Sequence, residues 1–266
     1  MTLNAGVLGR TRDEEANPPS EPGWDRLDRA IDAALRPVRG QPVPAVVLFS
    51  GGIDSGLLAW ELRLRPHTSL FTVGVAGSDD LDRARETAPL VGLPWEGRTL
   101  TDADLAEVER VVEPALLHVP GPRRGIFVAF AAAVALAPAG LLLCGQGVDE
   151  LFLGYAHFRG LSAGDAARRS EADLATLVQD DWPTTLRISA LWRRDIVAPY
   201  LDPPFVDAAS EVPIDQRLPR SLTKPYFRRW VEHRGAPQAI TGRPKRALQY
   251  GSGVDRWMRR RRRGTA

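Results

Sequence analysis

Apolar positions along this chain alternate between two spacings, and the alternation predicts its elements. Trp24, Leu27, Ile31 and Leu35 recur at helical spacing and predict a packed helix over 24–35. Ala45 to Ser50, AVVLFS, is instead a short continuous apolar run, as expected of a central parallel strand buried on both faces. A helical pattern over Ser55–Leu64 follows, then a second strand over Leu70–Val75 and helices over Asp80–Val91 and Thr101–Val112. Thr101 with Asp104 three residues on reads as the cap of the last of these. Ile126 to Cys144 holds nineteen residues without a charge, enough on length alone for a membrane span. Pro138 and Gly140 interrupt it, so the reading is a buried helix over Gly125–Leu136 and a core strand over Leu141–Cys144 rather than a membrane segment.

Strands alternating with helices predict an α/β fold with a mainly parallel sheet. Past Ala156 the pattern turns helical, with segments at Ser170–Val178 and Leu186–Trp192 and no convincing strand, so the C-terminal half reads as mainly helical. Residues 1–22, rich in Asn, Glu, Pro and Gly, read as a disordered leader, 23–258 as one catalytic domain, and 259–266 as a flexible basic tail. No internal repeat is visible.

Composition narrows the class. A chain of 266 residues, 44% apolar and 26% charged, is that of a soluble globular protein with one sizeable core. The single cysteine, Cys144, excludes a disulfide framework and a cysteine-built zinc site and fits a reducing cytoplasm. Met1 to Arg12 shows no signal-peptide pattern. The net charge of +2 becomes −3 without the five arginines Arg259–Arg263, so the basic character sits in the tail. A solvated, frayed end accounts for such a run better than a nucleic-acid contact.

The candidate chemistry begins directly after the first strand, at Ser50-Gly51-Gly52-Ile53-Asp54-Ser55. A glycine-rich turn from a buried strand into a helix presents backbone N–H groups beside a helix N-terminus, which favours phosphate. Gly51 and Gly52 let the backbone approach the anion, Ser50 and Ser55 can donate, and Asp54 can hold Mg²⁺. The plain alternative is a tight turn without a ligand. The string resembles the pyrophosphate loop of the N-type ATP pyrophosphatases, which implies an adenine-nucleotide α-hydrolase-like (PP-loop ATPase) domain and ATP cleavage between the α- and β-phosphates.

A second string, Gly145-Gln146-Gly147-Val148-Asp149-Glu150-Leu151-Phe152-Leu153-Gly154-Tyr155, follows the Leu141–Cys144 strand. It resembles the G-x-G-x-D-E-L-F-x-G-Y segment of the asparagine synthetase and β-lactam synthetase family. The resemblance implies that Asp149 joins Asp54 in holding magnesium pyrophosphate, and that Gln146, where relatives carry Glu or Tyr, faces the acceptor substrate. Ala198-Pro199-Tyr200-Leu201-Asp202 resembles the family's P-F-L-D segment and reads as structural. Lys224 to Arg228 resembles its K-x-x-L-R stretch, which makes Lys224 a candidate phosphate contact, with a surface lysine as the alternative. Lys245 to Val254 resembles the loop carrying the family's essential lysine, so Lys245 is the candidate catalytic cation. The candidate sets are thus Lys245, Gln146 and Glu150 for catalysis, Ser50, Gly51, Gly52, Asp54, Ser55, Val75, Gly147 and Lys224 for the nucleotide, and Asp54 and Asp149 for metal.

The function implied is an ATP- and Mg²⁺-dependent, AMP-forming amide ligase that adenylates a small-molecule carboxylate and passes it to ammonia or an amine. Only 44 residues precede the first strand, and Thr2 stands where a glutaminase would place its nucleophilic cysteine. Nitrogen is therefore expected free, on an amine, or from a separate glutaminase subunit. A homo-oligomer fits the sequence equally well. The competing readings are a tRNA- or nucleobase-modifying PP-loop enzyme and a non-catalytic nucleotide-binding partner protein.

Overall fold

The computed structural model describes residues 21, 23–242 and 248–264. The first half alternates as α1 (Trp24–Gly40), β1 (Ala45–Leu48), α2 (Ile53–Glu61), β2 (Thr68–Gly74), α3 (Asp79–Val91), β3 (Trp95–Thr99), α4 (Asp102–Val112), α5 (Gly121–Leu136) and β4 (Leu141–Leu143). A short α6 (Val148–Leu151) then leads into a helical half. This comprises α7 (Ala163–Thr176), a π-helical segment Leu177–Asp181, α8 (Trp182–Leu191), the two-residue strand β5 (Ile196–Val197) and α9 (Pro203–Ser210). Next come α10 (Ile214–Arg217), α11 (Pro225–His233), α12 (Gln238–Thr241), α13 (Leu248–Gly251) and α14 (Val254–Gly264).

The described strands form one five-stranded sheet in the order β3-β2-β1-β4-β5, every pairing parallel. In register, Val47 of β1 lies between Leu70 and Leu143. Because side chains alternate across a strand, Ala45, Val47, Leu70 and Leu143 face one helical layer, where they pack with Leu27, Leu57 and Trp230. Val46, Phe71, Val73 and Leu142 face the other, where they pack with α4, α5 and Trp257 of α14. That double burial is why β1 reads as an unbroken apolar run.

The structure departs from the sequence reading where apolar patterning is weak. β3, unforeseen, is an exposed edge strand with no apolar run, held by pairing with β2 and by Trp95 Nε1 donating to Thr72 Oγ1 at 2.9 Å. β5 corrects the expectation of no strand in the C-terminal half, since two residues carry no period to detect. α1 continues past Leu35 because the buried Val38 extends the same face through Pro37. Thr101 caps α4 as expected, with Asp104 completing a capping box. The basic end expected as a flexible tail from 259 is helical through Gly264. Trp257 and Met258 are buried, and Arg261 pairs with Glu109 at 2.8 Å. Among the described residues no helix is long and apolar enough to cross a membrane.

Candidate active site

β1 and β4 lie side by side, yet the chain leaves β1 toward β2 and leaves β4 toward β5. Their two exit loops therefore diverge and open a crevice at the carboxyl ends of the strands, where ligands of such sheets bind. A cavity of about 250 Å³ occupies this place. Leu48, Phe71 and Val73 line it from the sheet, Phe127 and Phe130 from α5, and Ser50, Asp54, Gly147 and Asp149 from the two exit loops.

The loop after β1 is organised by its own hydroxyls. Ser50 N–H donates to Ser55 Oγ at 3.2 Å, Gly52 N–H to Ser50 Oγ at 3.4 Å, and Ser55 Oγ to Gly52 O at 3.5 Å. Among the described residues no side chain caps α2, which leaves its first N–H groups open to an anion. Gly51 has φ +68°, and a Cβ there would stand 2.7 Å from the Arg83 backbone, so the close approach of α3 by itself demands glycine.

Asp54, in the first turn of α2, and Asp149, in the first turn of α6, meet on one side chain. Lys224 Nζ lies 2.5 and 2.6 Å from Asp54 Oδ1 and Oδ2, and 2.7 Å from Asp149 Oδ1. Lys224 is fully buried in a left-handed conformation with φ 58°, at the start of α11. The alternative of a surface lysine is thereby corrected. Burial draws its pKa below the ordinary lysine value, and the Asp54 carboxylate opposes that pull. Gly154 makes room for the pair: a Cβ on it would meet Asp149 Oδ1 at 1.9 Å and Lys224 Cε at 2.4 Å. Tyr200, in the segment expected to be structural, donates to Asp54 O at 2.8 Å.

Glu150 is buried and accepts from Tyr155 Oη at 2.5 Å. Burial pushes its carboxyl above the ordinary glutamate range and keeps the Tyr155 phenol neutral. Gln146 faces the cavity with its Nε2 3.3 Å from Thr185 Oγ1 and its Oε1 3.8 Å from Cys144 Sγ. The Cys144 thiol is pushed up to about 12 by burial, so it is no nucleophile.

The cavity wall thus unites Ser50, Asp54, Ser55, Gln146, Gly147, Asp149 and Glu150. Lys224 stands directly behind the two aspartates. Val75 is not in the wall; its N–H donates to Ser252 O at 2.9 Å. Lys245 lies outside the described residues. Sequence reasoning missed Leu48, Asp80 and Thr185. For Asp80 a signal existed, an acid in the first turn of the helix that follows a central strand.

Asp54 and Asp149 fit Mg²⁺ that arrives with phosphate. That ion takes one or two carboxylates plus phosphate oxygens and water, not a dedicated cage. Asp54 and Asp149, in the first turns of α2 and α6, supply two such acids.

The asparagine synthase family matches residues 25–197 and 159–265 of this chain. A Methanocaldococcus jannaschii protein named for glutamine-hydrolyzing asparagine synthetase is 26% identical over 89% of this chain and 51% of its own. The asparagine synthetase of Gallus gallus is 26% identical over 77% of this chain and 39% of its own. The chain therefore spans about half or less of the length of these relatives. An NH3-dependent NAD synthetase structure from Campylobacter jejuni aligns with 76% of this chain and 100% of its own at 13% identity, with a TM-score of 0.37, a likeness from which nothing follows here.

Proposed function

The chain belongs to the asparagine synthase family, and from that premise we propose that it is an ATP-dependent ligase that adenylates a carboxylate and transfers the acyl group to ammonia or an amine. The observation that carries this reading is the convergence of Asp54, Asp149 and Lys224 at the crevice between β1 and β4.

In this reading the nucleotide's base lies against Leu48, Phe71 and Val73, and its phosphates reach the open N–H groups of α2. A substrate carboxylate oxygen attacks the α-phosphorus, the bond to the bridging oxygen breaks, and pyrophosphate leaves. The amine nitrogen then attacks the acyl carbon, loses a proton, and displaces AMP. Magnesium, when bound, shields phosphate charge, and Asp54 and Asp149 would hold it. Lys224 fixes both carboxylates so that neither swings during the reaction. Gln146, oriented by Thr185, faces the substrate, and Glu150 holds Tyr155 at the cavity wall. Lys245 supplies the cation for charge developing on the α-phosphate.

Incubation with ATP, Mg²⁺ and a panel of carboxylic acids and amines tests the proposal. Pyrophosphate and AMP are the expected products. Release of ADP and phosphate instead, or full activity in Asp54→Ala, would sink it.

A further inference from the structure

We propose that Asp80 is a positioning residue of this enzyme, fastening the C-terminal turn Gly251-Ser252-Gly253 to the edge of the active-site cavity. The inference rests on the ligase reading above for its kinetic consequence, and on geometry alone for the contact.

Asp80 lies in the first turn of α3, is 3% exposed, and lines the same cavity as Ser50 and Asp54. Three contacts seat the late turn at this spot, one on Asp80 and two on Val75. A Cβ on Gly251 would stand 2.1 Å from Asp80 Oδ1 and 2.7 Å from its Oδ2, so the carboxylate lies flush on the turn. A Cβ on Gly253, whose φ is +78°, would stand 2.4 Å from Val75 Cγ2. Ser252 between them is fully buried, and its carbonyl accepts the Val75 N–H at 2.9 Å. On its other side α3 supports the phosphate loop, since Gly51 presses on the Arg83–Ala84 backbone.

One helix thus touches both the loop that opens the nucleotide site and the turn that ends the chain's return to it. Lys245, the cation of the ligase reading, is six residues upstream of Gly251 in the sequence, which ties this turn to that reading. An acid in a first turn ordinarily answers only the helix dipole, and water suits that task. Asp80 is instead buried against a glycine turn, where a carboxylate is costly unless held by neighbours.

The test uses the full chain and three variants, Asp80→Asn, Asp80→Glu and Gly251→Ala. Hydrogen exchange reads the seat without reference to activity, because the Val75 amide bonds Ser252 O. In Asp80→Asn and Gly251→Ala the Val75 amide should exchange at least about tenfold faster while the amides of Val46 and Val47 in β1 stay as in the wild type. Displacing a charged group near the reacting atoms costs about a hundredfold, so kcat should fall by about that factor, with the KM for ATP within about twofold. Asp80→Glu should recover part of the kcat. Wild-type exchange at Val75 in both Asp80→Asn and Gly251→Ala would overturn the seat. Wild-type kcat in Asp80→Asn would overturn its role in positioning. A wild type that never forms pyrophosphate defeats the ligase reading instead, and the exchange result then decides the contact on its own.

Discussion

Lys224 Nζ stands 2.5 Å from Asp54 Oδ1, joining the start of α11 to the first turn of α2 across 170 residues of chain. The same nitrogen reaches Asp149, so one cation holds two acids that come from opposite sides of the crevice. Replacing Lys224 by Met leaves both carboxylates without it. Removing one partner of a buried pair costs about 3–5 kcal/mol, and the partial exposure of the two aspartates puts the expected loss near about 3 kcal/mol. Urea unfolding should show that loss, and adding Asp54→Asn to Lys224→Met should restore part of it. A single variant as stable as the wild type would mean the pair contributes nothing to the fold.

Gly154 has the tightest surroundings of the site's glycines. Its substitution by Ala would drive a methyl into Asp149 Oδ1 at 1.9 Å, with Lys224 Cε at 2.4 Å behind it. Both neighbours are locked together, so neither can yield cheaply. The expected outcome is a stability loss of about 1–3 kcal/mol with a larger loss in pyrophosphate release by the proposed ligase reaction. Gly164→Ala is the matched control. It lies in the first turn of α7 with nothing nearer than Arg168 Nη1 at 3.6 Å, and should be neutral or slightly stabilising. Equal effects from the two variants would contradict the packing described for the site.

The contrast with the sequence reading is instructive at these same residues. β1 and β4 were legible because strands buried on both faces must be apolar throughout, and the loop after each was legible because it follows such a run. β3 was not, since an edge strand facing water needs backbone pairing and little else. Asp54 and Asp149 could be named as candidates from their strings. Their meeting on a fully buried Lys224 could not, because nothing in a local string reports burial of a side chain so distant in sequence. The π-helical segment Leu177–Asp181, which brings Leu177 and Asp181 to the cavity wall, left no mark in the apolar spacing either.

Glu150 makes stability depend on pH in a definite sense. Burial raises its folded-state pKa above the ordinary glutamate value, so on raising the pH the unfolded chain gives up this proton first. The folded state then binds more protons, and its stability falls as pH rises from the ordinary carboxylate range through the raised value. Glu150→Gln removes that dependence while keeping an oxygen to accept from Tyr155. Urea midpoints measured from about pH 4 to about pH 8 should therefore show the variant gaining on the wild type as pH increases. A constant difference across the range would place the Glu150 titration at its ordinary value.

The C-terminal helix α14 separates packing from charge within one segment. Trp257 is buried beside Val254 and Met258 in the core layer that contains Val46 and Phe127, whereas Arg259 and Arg261 are exposed. Cutting a buried tryptophan back to alanine removes its contacts and leaves a cavity, at a cost of about 3–5 kcal/mol. The arginines pair with Asp255 at 2.7 Å and Glu109 at 2.8 Å, and exposed pairs of this kind contribute at most about 1 kcal/mol each. Trp257→Ala should therefore lower the urea midpoint sharply, and a variant with Arg259 and Arg261 both changed to Gln should shift it little at any salt concentration. If the double arginine variant proved the more damaging, charge rather than burial would be holding α14 to the sheet.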